Sequence, residues 1–120
     1  MYKLIFLLLI FGNSSVNSLS PFDFHNYLLS EDNVILLDVR NYEDYNKGYI
    51  ENALWAGNRD ALDSLLINYD KNQPVLLYCS YGYRTKTVIK ILKKKGFKQI
   101  IELNGGIDLW INQGFPICNE

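Results

Sequence analysis

The sequence predicts an α/β domain, with helices covering both faces of a mostly parallel sheet. Three observations predict it. Val34–Val39, Pro74–Tyr78 and Lys98–Leu103 are short, nearly continuous apolar runs bounded by polar, glycine or proline residues. Unbroken apolar runs, rather than alternating ones, mark strands buried on both faces, as parallel strands are. Between them lie stretches of helical period: Leu62, Leu65, Leu66 and Tyr69 in one, Val88, Ile91 and Leu92 in another that ends at Gly96. Strands alternating with helices give the α/β layering.

Taken in order, the chain opens with Lys3 and an apolar run from Leu4 to Phe11, followed by the small and polar residues from Gly12 to Ser18. This is the layout of a signal peptide over residues 1–18, with Val16-Asn17-Ser18 at the expected cleavage site and a domain from 19 to 120. The apolar run is shorter than the roughly 20 residues that cross a bilayer, so stable membrane insertion is not expected. The alternatives are a buried N-terminal strand or helix. Ser20-Pro21-Phe22-Asp23 then reads as a helix start, with a serine cap, proline at the first helical position and an acid three residues after the cap. Phe24, Tyr27 and Leu28 form that helix's apolar stripe, and His25 beside it reads as a packing residue. No repeat or linker follows, so the rest is one domain.

Composition narrows the functions. With 48% hydrophobic and 21% charged residues and a net charge of −1, the chain has ordinary globular character and no pull toward nucleic acid. Lys86, Lys90, Lys93 and Lys94 fall opposite an apolar stripe and read as a solvated helix face. Two cysteines, Cys79 and Cys118, and a single histidine are too few for a disulfide scaffold or a zinc site.

Chemistry concentrates in Tyr78-Cys79-Ser80-Tyr81-Gly82-Tyr83-Arg84-Thr85. Cys79 stands at the carboxyl end of an expected buried strand, and a helix begins a few residues later. Ligands of open α/β sheets bind at this edge. The intervening loop must curl its amides inward, and Gly82 permits the positive φ that such a cradle needs. The helix N-terminus and Arg84 add positive charge, which favours thiolate over thiol and stabilises a persulfide anion. The hydroxyls of Ser80 and Thr85 are weaker candidate donors to the same anion. The competing reading makes Cys79 a small buried residue at a strand end. Cys118, near the terminus, reads either as an incidental residue on a flexible tail or as a resolving thiol for Cys79.

The whole domain resembles the rhodanese-like family. Leu36-Leu37-Asp38-Val39-Arg40 is similar to its first signature, followed by Tyr42-Glu43-Asp44-Tyr45. Gly48-Tyr49-Ile50-Glu51-Asn52-Ala53 resembles its glycine–histidine–isoleucine element, with Tyr49 in the place of the histidine. The Cys79–Arg84 loop matches the pattern of cysteine, two residues, glycine, one residue and arginine, then a hydroxyl residue. Leu103-Asn104-Gly105-Gly106, Trp110 and Gly114-Phe115-Pro116-Ile117 resemble the closing signature. The resemblance implies a sheet of about five strands and sulfur transfer without a cofactor or metal. Cys79 would be the nucleophile, with Ser80, Tyr81, Gly82, Tyr83, Arg84 and Thr85 binding the substrate and Asp38 and Arg40 bracing the domain. The partners it implies are a small sulfur-donor anion such as thiosulfate or a polysulfide, and a thiol or cyanide-like acceptor, with a protein acceptor also open. The fold's phosphatases and arsenate reductases carry a loop one residue longer, so this loop points to sulfur rather than phosphorus. A non-catalytic binding module is the other alternative. Tyr81 and Tyr83 are neutral and bulky, leaving Arg84 as the loop's one cation for a dianionic donor.

Overall fold

A computed structural model of the chain describes residues 13–119; the apolar run Leu4–Phe11 lies outside them. The elements run β1 (Ser15–Leu19), α1 (Pro21–Ser30), β2 (Ile35–Asp38), α2 (Tyr42–Lys47), β3 (Leu54–Trp55), α3 (Arg59–Leu66), β4 (Val75–Tyr78), α4 (Thr85–Lys94), β5 (Gln99–Leu103) and α5 (Gly106–Asn112). The five strands form one sheet in the order β1-β5-β4-β2-β3, and every pairing is parallel.

The three central strands are those that the apolar runs predict. Their alternating side chains divide the core in two. Leu37, Leu77, Val75 and Ile100 pack against Leu62 and Leu66 of α3 and Val88 and Leu92 of α4. Leu36, Leu76, Tyr78 and Ile101 pack on the opposite face with Phe24 of α1 and Ile107 and Trp110 of α5. Each fully buried leucine or isoleucine contributes about 1.5–3 kcal/mol through its removal from water.

Local signals fix the helix starts. Ser20 Oγ accepts from the Asp23 amide (3.2 Å) and Pro21 takes the first helical position. Asn41 and Asn58 cap α2 and α3, accepting from the amides of Asp44 and Ala61 at 2.8 Å each. His25 packs edge-on to Trp110, with ring centroids 5.5 Å apart, and against Phe115.

Two elements differ from the reading of the sequence. β1 occupies Ser15–Leu19, so the folded domain extends back across the expected boundary after Ser18. β1 pairs along its full length with β5, and Ser14 Oγ donates to Phe97 O at 2.8 Å. A cut after Ser18 would remove four of the strand's residues. The tail is also not loose. Cys118 forms an antiparallel bridge with Tyr49, N–H to O at 2.7 Å and back at 2.9 Å. Main-chain pairing, invisible to side-chain pattern, immobilises it.

Candidate functional site

β4 ends at Tyr78, and this residue and Cys79 after it point to opposite faces of the sheet. Tyr78 is buried in the α1/α5 face, where its hydroxyl accepts the Ile50 amide (3.0 Å). Burial, with the nearby Asp38 charge, pushes the Tyr78 hydroxyl far above the ordinary tyrosine range. Cys79 turns to the α3/α4 face and is only 3% exposed. Its sulfur receives the Gly82 amide at 3.1 Å, across a turn in which Gly82 has φ +101°.

The first two carbonyls of the loop are drawn off by α5. Ile107 N–H donates to Cys79 O (2.9 Å) and Asp108 N–H to Ser80 O (3.1 Å). A trans peptide sets its N–H opposite its C=O. The amides of Ser80 and Tyr81 therefore point away from α5. Gly106 permits this stitching: a Cβ there would lie 2.3 Å from Ser80 O, and its φ of +67° also favours glycine.

In front of Cys79 lies a cavity of about 240 Å³ lined by Arg40, Asn41, Asp44, Ser80, Tyr81, Tyr83 and Arg84. Tyr81 and Tyr83 are exposed at its rim (63% and 78%). Of the residues that the sequence singles out, Cys79, Ser80, Tyr81, Tyr83 and Arg84 thus converge on one cavity. Gly82 reaches the sulfur through its backbone. Thr85 is fully buried, and its hydroxyl faces Glu102 Oε2 (2.7 Å) and Gly82 O (3.2 Å), so it supports the loop from behind.

Asp38 and Arg40 form a buried ion pair at the end of β2. Arg40 Nη2 lies 2.7 Å from Asp38 Oδ2, Nε donates to both carboxylate oxygens at 3.1 Å, and the Arg40 amide donates to Oδ1 at 3.0 Å. Arg40 Nη2 also reaches Gly48 O. Burial opposes the Arg40 charge, but the hydrogen bonds and charge of Asp38 outweigh it and hold the guanidinium above its ordinary value. Tyr49 stacks on Tyr45, centroids 4.6 Å apart.

Asn41, Asp44, Glu102 and Gly106 are participants that the sequence reading does not assign to the site. Asn41 and Asp44 follow β2, the neighbour of β4, and only the strand order brings them to the cavity. Gly106 carried a signal, since paired glycines after a strand mark a close backbone approach. Cys118 bonds to Tyr49, which packs with the α1/α5 cluster, while Cys79 belongs to the other face; both thiols are free. The sheet separates them, and a Cys79–Cys118 bond within one chain would require dismantling it.

A cysteine at the carboxyl edge of a parallel sheet, held in a curled loop under a small cavity, defines a class of α/β domains with a cysteine loop at the sheet edge. Comparison with known sequences places it within that class. Residues 23–113 match the family profile of the Rhodanese-like domain, and the chain belongs to this family. It is similar to the thiosulfate sulfurtransferase GlpE of Coxiella burnetii, with 32% identity over 83 residues covering 69% of this chain and 77% of that protein. It is also similar to the tRNA uridine(34) hydroxylase of Chlamydia abortus, 33% identical over 96 residues, covering 74% of this chain but 29% of that longer protein. Among solved structures, the Alr3790 protein of Anabaena superposes with a TM-score of 0.77 at 25% identity, covering 85% of this chain and 82% of that one. A rhodanese-like domain protein of Staphylococcus aureus gives 0.72 at 27%, covering 87% and 98%.

Proposed function

We propose that the protein is a sulfurtransferase that moves sulfane sulfur from a donor such as thiosulfate or a polysulfide to a thiophilic acceptor through a persulfide on Cys79. The observation that carries this reading is the Gly82 amide on the Cys79 sulfur at the base of a cavity that Arg84 also lines. An amide and a guanidinium both favour an anion on sulfur, before and after transfer. With thiosulfate, the Cys79 thiolate attacks the outer sulfur. A sulfur–sulfur bond forms to Cys79, the bond within the donor breaks, and sulfite leaves with its electron pair. An acceptor such as cyanide then takes the terminal sulfur and returns the thiolate.

Intact-mass measurement after incubation with thiosulfate tests this directly. The expected result is a gain of one sulfur atom, discharged by cyanide and absent in Cys79→Ser. No gain with thiosulfate, polysulfide or a thiol persulfide would leave the rhodanese-like binding module as the better reading. Turnover of a phosphate ester without sulfur uptake would favour a phosphatase.

The N-terminal apolar run further supports export to a periplasmic or extracellular space. If a leader is removed while β1 stays in the sheet, processing falls before Ser14. N-terminal sequencing of exported protein would show a first residue at or before Ser14. A start at Leu19 in a folded product would contradict the role of β1.

A further inference from the structure

Thr85 opens α4 at a helix end that lacks the usual local support. Arg84, the cap residue, makes no capping hydrogen bond with its side chain, and the first turn contains no acid. An anion reaches this end from another element. Glu102 of β5, paired with Leu77 of β4, brings Oε2 to 2.7 Å from Thr85 Oγ1. The single hydrogen of that hydroxyl is shared with Gly82 O at 3.2 Å. Gly82, in turn, donates its amide to the Cys79 sulfur at 3.1 Å. A continuous polar chain thus runs from the sheet to the sulfur: Glu102, Thr85, Gly82, Cys79.

The space where a side chain of residue 82 would stand is nearly open. The φ of Gly82 is +101°, and a Cβ built there would meet only the Gly105 nitrogen, at 3.7 Å. Both of its peptide groups are hydrogen-bonded, the amide to the Cys79 sulfur and the carbonyl to the Thr85 hydroxyl. The carboxylate accepts a short, charge-assisted bond, and such bonds are the stronger and more directional kind.

We propose that Glu102 is a positioning residue for Cys79: it fixes the Thr85 hydroxyl, which holds Gly82 so that its amide stays aimed at the sulfur. This rests on Cys79 being the sulfur nucleophile, and the test separates the two claims. Sulfur uptake by intact mass, at several thiosulfate concentrations, distinguishes the saturated rate from the concentration giving half of it. Glu102→Ala should lower the saturated rate about ten-fold, the loss of one charge-assisted hydrogen bond. The half-saturating concentration should move less than about two-fold, because Arg84 still faces the donor. Glu102→Gln, whose amide oxygen still accepts from Thr85, should restore most of the rate.

Thr85→Val, which removes the bond to Gly82 O as well, should be at least as slow as Glu102→Ala, and the double variant should be no slower than Thr85→Val, since Glu102 acts only through Thr85. Alkylation of Cys79 by iodoacetamide, which needs no sulfur donor, should follow the same order. Thermal melts establish that each variant is folded; if Glu102→Ala is not, Thr85→Val against Thr85→Ser makes the same comparison. A wild-type rate in Glu102→Ala, a Gln variant as slow as the Ala variant, or additive losses would overturn the proposal. Alkylation in the expected order without any sulfur uptake would instead overturn the transferase reading and leave the positioning role standing.

Discussion

The carboxyl ends of β2 and β4 lie side by side, and each carries a buried polar group gripped by residues just beyond its strand. At the end of β2, Asp38 takes bonds from the Arg40 amide, Nε and Nη2, and Nη2 also reaches Gly48 O, while the same side chain lines one wall of the cavity. At the end of β4, the Cys79 sulfur takes one amide and otherwise borders a cavity. Two neighbouring ends of one sheet therefore do different work. A group whose bonding capacity is used up holds the scaffold. One with capacity to spare faces open space.

That contrast can be tested by removing one partner at a time. Asp38→Ala strands a buried guanidinium and should cost about 3–5 kcal/mol in urea unfolding, whereas Cys79→Ser should change stability by less than about 1 kcal/mol. Equal losses from the two substitutions would erase the distinction. Tyr78→Phe leaves the buried Ile50 amide without an acceptor, at about 1–3 kcal/mol. It should also alter the alkaline limb. The Tyr78 hydroxyl titrates higher folded than unfolded, so its contribution is present below the ordinary tyrosine value and is lost as pH rises past about 10. Unfolding followed from pH 9 to 11 should be shallower in the variant. Arg84→Gln removes an exposed cation from the open end and should raise the half-saturating thiosulfate concentration about three- to five-fold, with stability unchanged.

The smallest effect belongs to Asp63, whose carboxylate meets Lys95 Nζ and Arg59 Nε at 3.0 Å each. These partners hold it below the usual carboxylate value. Its contribution is present at neutral pH and disappears as pH falls through that lowered value. The pair is solvent-screened, so Asp63→Asn should leave the urea midpoint at pH 7 within measurement scatter. A loss comparable to that of Asp38→Ala would show that burial is not what separates these two acids.

The central sheet was legible because Ile35–Asp38, Val75–Tyr78 and Gln99–Leu103 are buried runs whose composition declares them. β1 was not. Ser-Val-Asn-Ser-Leu is polar and mostly exposed, and it is a strand because the edge of β5 offers it hydrogen bonds. β3, at Leu54–Trp55, is too short for any periodicity. In the site, the residues between Cys79 and Arg84 could be read because they are contiguous. Asn41 and Asp44 reach the cavity only through strand order. Glu102 sits in a strand where a charge ordinarily signals a solvent-facing position, and its bond to Thr85 depends on how α4 lies across the sheet. The Thr85 hydroxyl was expected to serve the sulfur anion; a hydroxyl near a helix start can turn either toward the loop or behind it, and sequence does not distinguish these.

The contact of Gly106 with the backbone of Cys79 and Ser80 bears on any attempt to engineer this domain. The shape of the cysteine loop is set partly from outside it, by the turn that enters α5. Grafting the loop alone into a relative would carry over the cysteine without the surface that bends it. Exchange of this site between such scaffolds would require moving both segments as a matched pair, with the glycine that lets them touch.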